Sequence, residues 1–91
     1  MSTVIVERQH QLGLADARDK AQALAERLAE KYAVSYQWQA DTLKIRRAGA
    51  EGTIVVEEGA VYVRLKLGML WSARSGRIKS EIEEALDKRL R

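Results

Sequence analysis

The hydrophobic and polar positions of this chain follow two different spacings, and the spacing changes several times between the termini. The stretch from Thr3 to Gln9 is rich in Val and Ile and predicts a first strand. From Leu14 to Tyr32, apolar residues recur at intervals of three, four or seven, which predicts a helix with one apolar face. A second helix is predicted to end at the C-terminus, with Ser72 and Ser75 as candidate N-caps; its apolar positions are Trp71, Ile78, Ile82, Ala85, Leu86 and Leu90.

Between the two helices, the pattern predicts four strands that pair through short turns. We place two-residue turns at Ala40-Asp41, Gly49-Ala50 and Glu58-Gly59. The second of these turns sets Ile45 opposite Ile54. A slip of one residue would move every side chain of a strand to the opposite face, so the three registers can be checked against each other. They agree on one apolar face, made of Tyr36, Trp38, Leu43, Ile45, Ile54, Val56, Val61, Val63 and Leu65.

The predicted element order is therefore β-α-β-β-β-β-α in a single domain over residues 1–91. Both helices have one apolar face and the sheet has one to match. We predict an α+β fold in which two helices pack on one face of an antiparallel sheet. Because a helix separates the first strand from the second, we expect the first strand to lie beside the last, in the order 1-5-4-3-2.

Composition excludes several kinds of chemistry. The 91 residues contain no cysteine and one histidine, so neither disulfides nor a transition-metal site are expected, and we predict no metal and no cofactor. No apolar run approaches the roughly 20 residues of a membrane span, so we expect no transmembrane segment. The N-terminus has no basic region followed by an apolar stretch, which leaves the cytoplasm as the expected location.

The single histidine, His10, lies where the first strand gives way to the first helix. An imidazole can transfer protons near neutral pH, but a general base needs a partner and a pocket. The sequence offers no second His and no Cys. We interpret His10, Leu12 and Gly13 as a structural corner, with a ligand contact and catalysis as alternatives, and we predict that the protein is not an enzyme.

The second candidate is the polar face of the sheet. By the predicted registers, Arg46 and Arg64 share a row with Thr53. Four cations around a tyrosine could hold phosphates or stack a base; the residues are Lys44, Arg46, Tyr62, Arg64 and Lys66. A plain solvated surface is the alternative. Since the net charge is only +3, nucleic acid is the less favoured partner.

The third candidate consists of four large apolar residues, Trp38, Met69, Leu70 and Trp71. They could form a corner of the core. They could also form a patch for a lipid-like ligand or a partner protein, or the interface of a homodimer. Met69, Leu70 and Trp71 cannot all face one core if they are helical.

Several short motifs, in this order and spacing, resemble the polyhydroxyalkanoic acid system protein family over nearly the whole chain. The residues that carry the resemblance are His10, Leu12, Gly13, Ala17, Trp38, Asp41, Leu43, Gly49, Gly52, Ile54, Leu67, Gly68, Ile78, Ile82, Leu86 and Asp87. The family tends to have glycine where this chain has Ala40, so this alanine should either accept a strained φ or shift the turn type. At the level of fold alone, the element order is also similar to a reduced START-like fold.

The resemblance implies an association with storage-polyester metabolism or with the surface of polyester granules, and it implies no catalytic residues. We therefore expect a non-enzymatic accessory protein that contacts a granule surface, a granule-associated protein or a lipid-like ligand. The alternative is a small RNA- or anion-binding module that uses the basic face of the sheet.

Overall fold

A computed structural model describes residues 2–90 and has the predicted α+β architecture. Its elements, in chain order, are β1 (Ser2–Gln9), α1 (Leu14–Tyr32), β2 (Ser35–Gln39), β3 (Thr42–Arg47), β4 (Ala50–Val56), β5 (Ala60–Leu67), α2 (Met69–Ser72) and α3 (Ser75–Arg89). The five strands form one antiparallel sheet in the order β1-β5-β4-β3-β2. This confirms the predicted position of the first strand beside the last.

The core lies between one face of the sheet and the apolar faces of α1 and α3. Small residues let α1 approach the strands closely, because Ala17, Ala21 and Ala25 are completely buried beneath it. From α3, Ile82 and Leu86 are equally inaccessible. Burying large side chains of this kind contributes about 1.5–3 kcal/mol each, so the shared face of sheet and helices is the main source of stability.

Two of the three predicted hairpin registers are confirmed, and the middle one is wrong. Between β3 and β4, Leu43 pairs with Ile54 and Ile45 pairs with Gly52. The turn is therefore Ala48-Gly49 and not Gly49-Ala50. Moving the turn by one residue shifts the pairing by two, which preserves the face of every side chain. The apolar alternation is thus satisfied by either register.

Gly52 lies on the core side of β4 and makes room for β5. A Cβ atom at this position would lie 2.3 Å from the carbonyl oxygen of Arg64 and 2.4 Å from Leu65 Cδ2. Contacts this short are not tolerated, so only glycine fits without a shift of the neighbouring strand. Leu65 occupies the space that a side chain at position 52, opposite Ile45, would otherwise take.

The predicted last helix is divided in two, and its predicted caps are wrong. Arg74 occupies the N-cap position of α3 without a side-chain capping bond, and Ser75 is already helical. Ser72 belongs to α2, where its hydroxyl donates to the carbonyl oxygen of Gly68 at 3.0 Å. In the β2–β3 turn, Ala40 takes the strained alternative, with a φ of 54°.

Candidate functional site

His10 connects the end of β1 to the β4–β5 turn. Its Nδ1 accepts a hydrogen bond from the backbone N–H of Leu12 at 3.1 Å, and its Nε2 lies 3.0 Å from the carbonyl oxygen of Glu57. The backbone N–H of His10 also donates to the carbonyl oxygen of Gly59. Gly13, with a φ of 80°, then redirects the chain into α1. Both ring nitrogens of this buried histidine are thus engaged with the main chain.

Carboxylates of α3 bind cations on two other elements. Arg8 of β1 donates to Asp87 at 2.7 Å and to Glu83 at 3.0 Å. Glu81 accepts from Lys31 Nζ and from the Tyr32 hydroxyl of α1, both at 2.6 Å. These two hydrogen bonds lower the pKa of Glu81. Burial, together with the bond to Glu81, raises the pKa of Tyr32 to about 12.

The predicted apolar patch is separated into parts that have different surroundings. Met69 and Leu70, at the start of α2, are 84% and 88% exposed. They lie where β5 ends, next to the beginning of β1 and the β3–β4 turn. We call these two residues the α2 tip. Single exposed apolar residues are common, but two consecutive large ones this exposed are unusual and point to an interaction site.

Trp71 turns the other way and fixes the α2 tip to the sheet. Its ring lies edge-on to Tyr32, with centroids 6.0 Å apart, and its Nε1 donates to the carbonyl oxygen of Ala48 at 3.2 Å. A Cβ atom on Gly49 would meet this ring at 3.2 Å. The backbone N–H of Gly68 adds a bond to Gly49 at 2.7 Å. The β3–β4 turn and α2 therefore hold each other in place.

Two arginines pack on Trp71, the residue that follows the α2 tip in the chain. The guanidinium carbons of Arg47 and Arg74 lie 5.0 and 5.9 Å from the centre of the Trp71 ring. Arg46 and Lys66 line an open groove that reaches Gly49 and Gly68 beside the tip. The sequence pattern did not single out Arg47 or Arg74; the adjacent arginines at 46 and 47 were a signal for Arg47, whereas nothing in the sequence pointed to Arg74.

Trp38 lies apart from the α2 tip. Its Nε1 donates to Gln22 Oε1 at 2.7 Å, and the guanidinium carbon of Arg18 lies 4.2 Å from its ring centre. Trp71 instead contacts Tyr32. Tyr32 lies ten residues after Gln22 in α1, so the two tryptophans contact points of this helix that are about 15 Å apart along its axis. Trp38 therefore belongs to the β2 side of the molecule.

The outer face of the sheet, which no helix of residues 2–90 covers, carries the predicted cations in corrected rows. Lys44 pairs with Thr53 and Thr53 with Arg64, so Arg46 is not in this row. Arg46 aligns with Glu51 and Lys66. Tyr62 lies one row further, beside Val55. None of the four cations forms an ion pair within the described part of the chain; the ion pairs there belong to Arg8, Arg18, Lys31 and Arg77.

The apolar pocket between the helices and the sheet offers little room for a ligand. The apolar space between α1, the sheet and α3 has a volume of about 30 Å³ and is lined by residues that include Leu28, Ile45, Trp71 and Ile78. A space of this size holds on the order of one or two water molecules. Among residues 2–90, no group of acidic or histidine side chains is arranged to hold a metal ion, and no helix is long and apolar enough to cross a membrane.

The fold and the surface features define a small α+β protein whose candidate binding groups lie outside its core. The chain belongs to the family described as "Putative polyhydroxyalkanoic acid system protein", whose model matches residues 4–90. Among solved structures, it is similar to the NMR structure of PA4090 from Pseudomonas aeruginosa, with 9% identity and a TM-score of 0.59 over 97% of this chain and 83% of that one. At this identity the likeness shows the fold alone. No curated protein matches the chain.

Proposed function

We propose that this protein is a non-enzymatic accessory protein of polyhydroxyalkanoate metabolism that attaches to the surface of the storage granule through its α2 tip. The observation that carries this proposal is the exposure of Met69 and Leu70, at 84% and 88%, on a segment that Trp71 holds in place. The family supplies the link to the polyester system.

The chemistry around the tip suits an amphipathic surface. Burying Met69 and Leu70 in an apolar layer would contribute about 1.5–3 kcal/mol each. The nearby Arg47 and Arg74 can remain at the boundary with water, where cations favour an anionic surface. Attachment by two residues is weak and reversible, which fits an accessory protein better than a permanent coat.

The structure suits binding to an extended surface better than binding of a single small molecule inside the core. The interior space of about 30 Å³ is too small for an acyl chain, whose individual methylene groups each occupy about as much room as a water molecule. A lipid-like ligand would fit better against the outside of the protein, where Met69 and Leu70 are the most exposed large hydrophobic residues of the described part of the chain.

The absence of enzymatic activity is part of the proposal. Both ring nitrogens of His10 are engaged by backbone groups, and the residue is only 8% exposed. A general base needs a nitrogen that can reach a substrate proton. His10 therefore serves the corner between β1 and α1. Replacing His10 by Asn should lower stability and leave the granule phenotype of the folded protein unchanged.

Fractionation of polyester-producing cells tests the proposal. The wild-type protein should sediment with the granules, and the double variant Met69→Gln/Leu70→Gln should remain in the soluble fraction. Ile5→Gln is the matched control, because Ile5 is 60% exposed but lies on the outer face of the sheet. A wild-type protein that stays wholly soluble, in cells whose granule number and size do not change when its gene is deleted, would refute the proposal.

The unpaired cations of the outer face support a second candidate function, the binding of RNA or another polyanion. Lys44, Arg46, Arg64 and Lys66 line one open groove on that face. Titration with single-stranded RNA at two salt concentrations should show a steep loss of affinity with salt if phosphates are bound. Lys44→Gln/Arg64→Gln should weaken this binding, whereas Lys79→Gln, on α3, should not. A flat or absent signal rejects this function.

A further inference from the structure

The free edge of β2 carries no charged residue. Its five residues, Ser35 to Gln39, read SYQWQ, and β2 is the last strand of the sheet. Natural sheets usually protect such an edge with lysine, proline, a bulge or a covering element, since its unpaired backbone groups can pair with another strand. Within residues 2–90, none of these devices protects β2.

The direction of the backbone groups on this edge follows from the neighbouring strands. The N–H of Val56 donates to the carbonyl oxygen of Asp41 at 2.9 Å. In an antiparallel ladder, the residues that bond one neighbour alternate with those that bond the other. On β3, the odd positions therefore bond β4 and the even positions bond β2. It follows that Gln37 bonds β3, whereas the N–H and C=O groups of Tyr36 and Trp38 point outward from the edge.

We propose that two copies of this chain pair through β2, antiparallel and related by a two-fold axis at Gln37. In this register Tyr36 of one copy lies opposite the partner's Trp38, and all five residues of the strand overlap. Each of these two pairs exchanges two backbone hydrogen bonds, because both residues present outward groups. The two sheets of five strands would then form one sheet of ten.

The side chains on the helix-facing side suit the same register. Gln22 of α1 bonds both Trp38 and Tyr36, so it lies over the middle of β2 on the helix-facing side, next to the proposed axis. Arg18, which also pairs with Asp41 at 2.7 Å, lies one turn of helix before Gln22. Glu26, which accepts a hydrogen bond from Gln22, lies one turn after it. A two-fold axis at this point reverses the order in the second copy, which places Arg18 near the partner's Glu26 and Glu26 near the partner's Arg18. The surface is therefore complementary to itself in charge.

Partial burial of the aromatic residues completes the argument. Tyr36 and Trp38 face the core side but remain partly exposed at the end of the sheet. In the dimer, the partner's Trp38 and Tyr36 would cover them and extend the core across the axis. This proposal does not depend on the proposed granule function.

Cysteine cross-linking tests the register directly, since the chain contains no cysteine. In an antiparallel pair without mutual hydrogen bonds, opposing Cα atoms lie about 4.5 Å apart, which is within the range of a disulfide. Gln37→Cys should form a covalent dimer rapidly on mild oxidation. Gln9→Cys is the matched control, an exposed glutamine on the other edge strand. Equal rates for the two variants would overturn the proposal.

Charge variants test the interface in solution by sedimentation. The wild-type protein should sediment as a dimer, and Gln37→Lys, which sets two lysines opposite each other, should weaken association about tenfold or more. Arg18→Glu and Glu26→Arg should each self-associate poorly but form a mixed dimer with each other, because the mixture restores both ion pairs. Circular dichroism checks that each variant is folded. A wild-type monomer at every concentration, or no recovery on mixing, would overturn the proposal.

Discussion

The two edges of the sheet differ in their protection: the β1 edge is protected and the β2 edge is not. The β1 edge runs beside α3, and Arg8 of β1 bonds two carboxylates of that helix. The β2 edge has no charge of its own, and α1 contacts only the side of β2 that faces the core. A covered edge adds stability to the monomer, whereas a bare edge is available for another strand. The same sheet thus combines a closed end with an open end.

The largest expected effect lies in α3, the helix that packs beside β1. Ile82 of α3 is completely buried, so Ile82→Ala should lower the free energy of unfolding by about 3 kcal/mol through lost burial and a cavity. At the open edge, Gln37→Ala should change it by no more than about 0.5 kcal/mol. Urea denaturation at low protein concentration, where only monomer is present, measures both. Similar losses for the two variants would show that the packing of α3 adds no more to the monomer than an exposed residue of β2 does.

The ion pairs of Arg8 should contribute less than the packing of α3. The side chain of Arg8 is 31% exposed, and exposed pairs contribute on the order of 0.2–1 kcal/mol. Arg8→Gln should therefore destabilise the protein by about 1 kcal/mol at low salt, with a smaller difference at high salt because ions screen the pairs. Thermal unfolding at two ionic strengths measures this. A loss that does not change with salt would indicate that packing, and not charge, holds α3 on β1.

A dependence on pH should arise where α3 meets α1. The bonds from Lys31 and Tyr32 hold the pKa of Glu81 below its ordinary value of 4.5. A carboxyl group whose pKa is lower in the folded state adds stability above its unfolded pKa, and this stability is lost as pH falls through the folded value. Wild-type stability should thus decline below about pH 4.5 more steeply than that of Glu81→Gln. Parallel curves for the two proteins would contradict this assignment.

The smallest expected effect concerns the turn next to the open edge. Ala40 holds a φ of 54°, which costs an L-residue about 1–2 kcal/mol, whereas glycine adopts it freely. Glycine also gains entropy in the unfolded chain, so Ala40→Gly should stabilise the protein by only about 0.5 kcal/mol. Urea midpoints measured side by side would detect this. A loss of stability would show that surrounding contacts, and not local geometry, favour alanine.

Much of the fold could be predicted because the spacing of apolar residues along a strand or a helix indicates which of its side chains face the core. Leu43 and Ile54 were placed correctly on the core face although their register was wrong, since a shift of two residues preserves the face. The correct register between β3 and β4 places Gly52 opposite Ile45, which the alternation of apolar residues did not indicate. The lack of a side chain at Gly52 matters because Arg64 and Leu65, which belong to another strand, lie so close.

The candidate site was harder to predict, because it depends on contacts between distant segments. Met69, Leu70 and Trp71 are consecutive and all apolar, yet only the first two are exposed. Trp71 is the one that turns inward, and its ring packs against Gly49, a residue 22 positions earlier in the chain. Likewise, Arg18 and Gln22 come to Trp38 only through the packing of α1 on β2.

The contact between Trp71 and Gly49 has a consequence for the thermodynamics of attachment. A loop that becomes ordered on binding loses conformational entropy, which lowers its affinity. Here the short helix is already anchored by the Trp71 ring and by the backbone bond from Gly68 to Gly49. Met69 and Leu70 are therefore pre-organised before they meet any surface. A side chain placed at Gly49 would weaken binding by loosening the tip, without altering either residue that makes the contact.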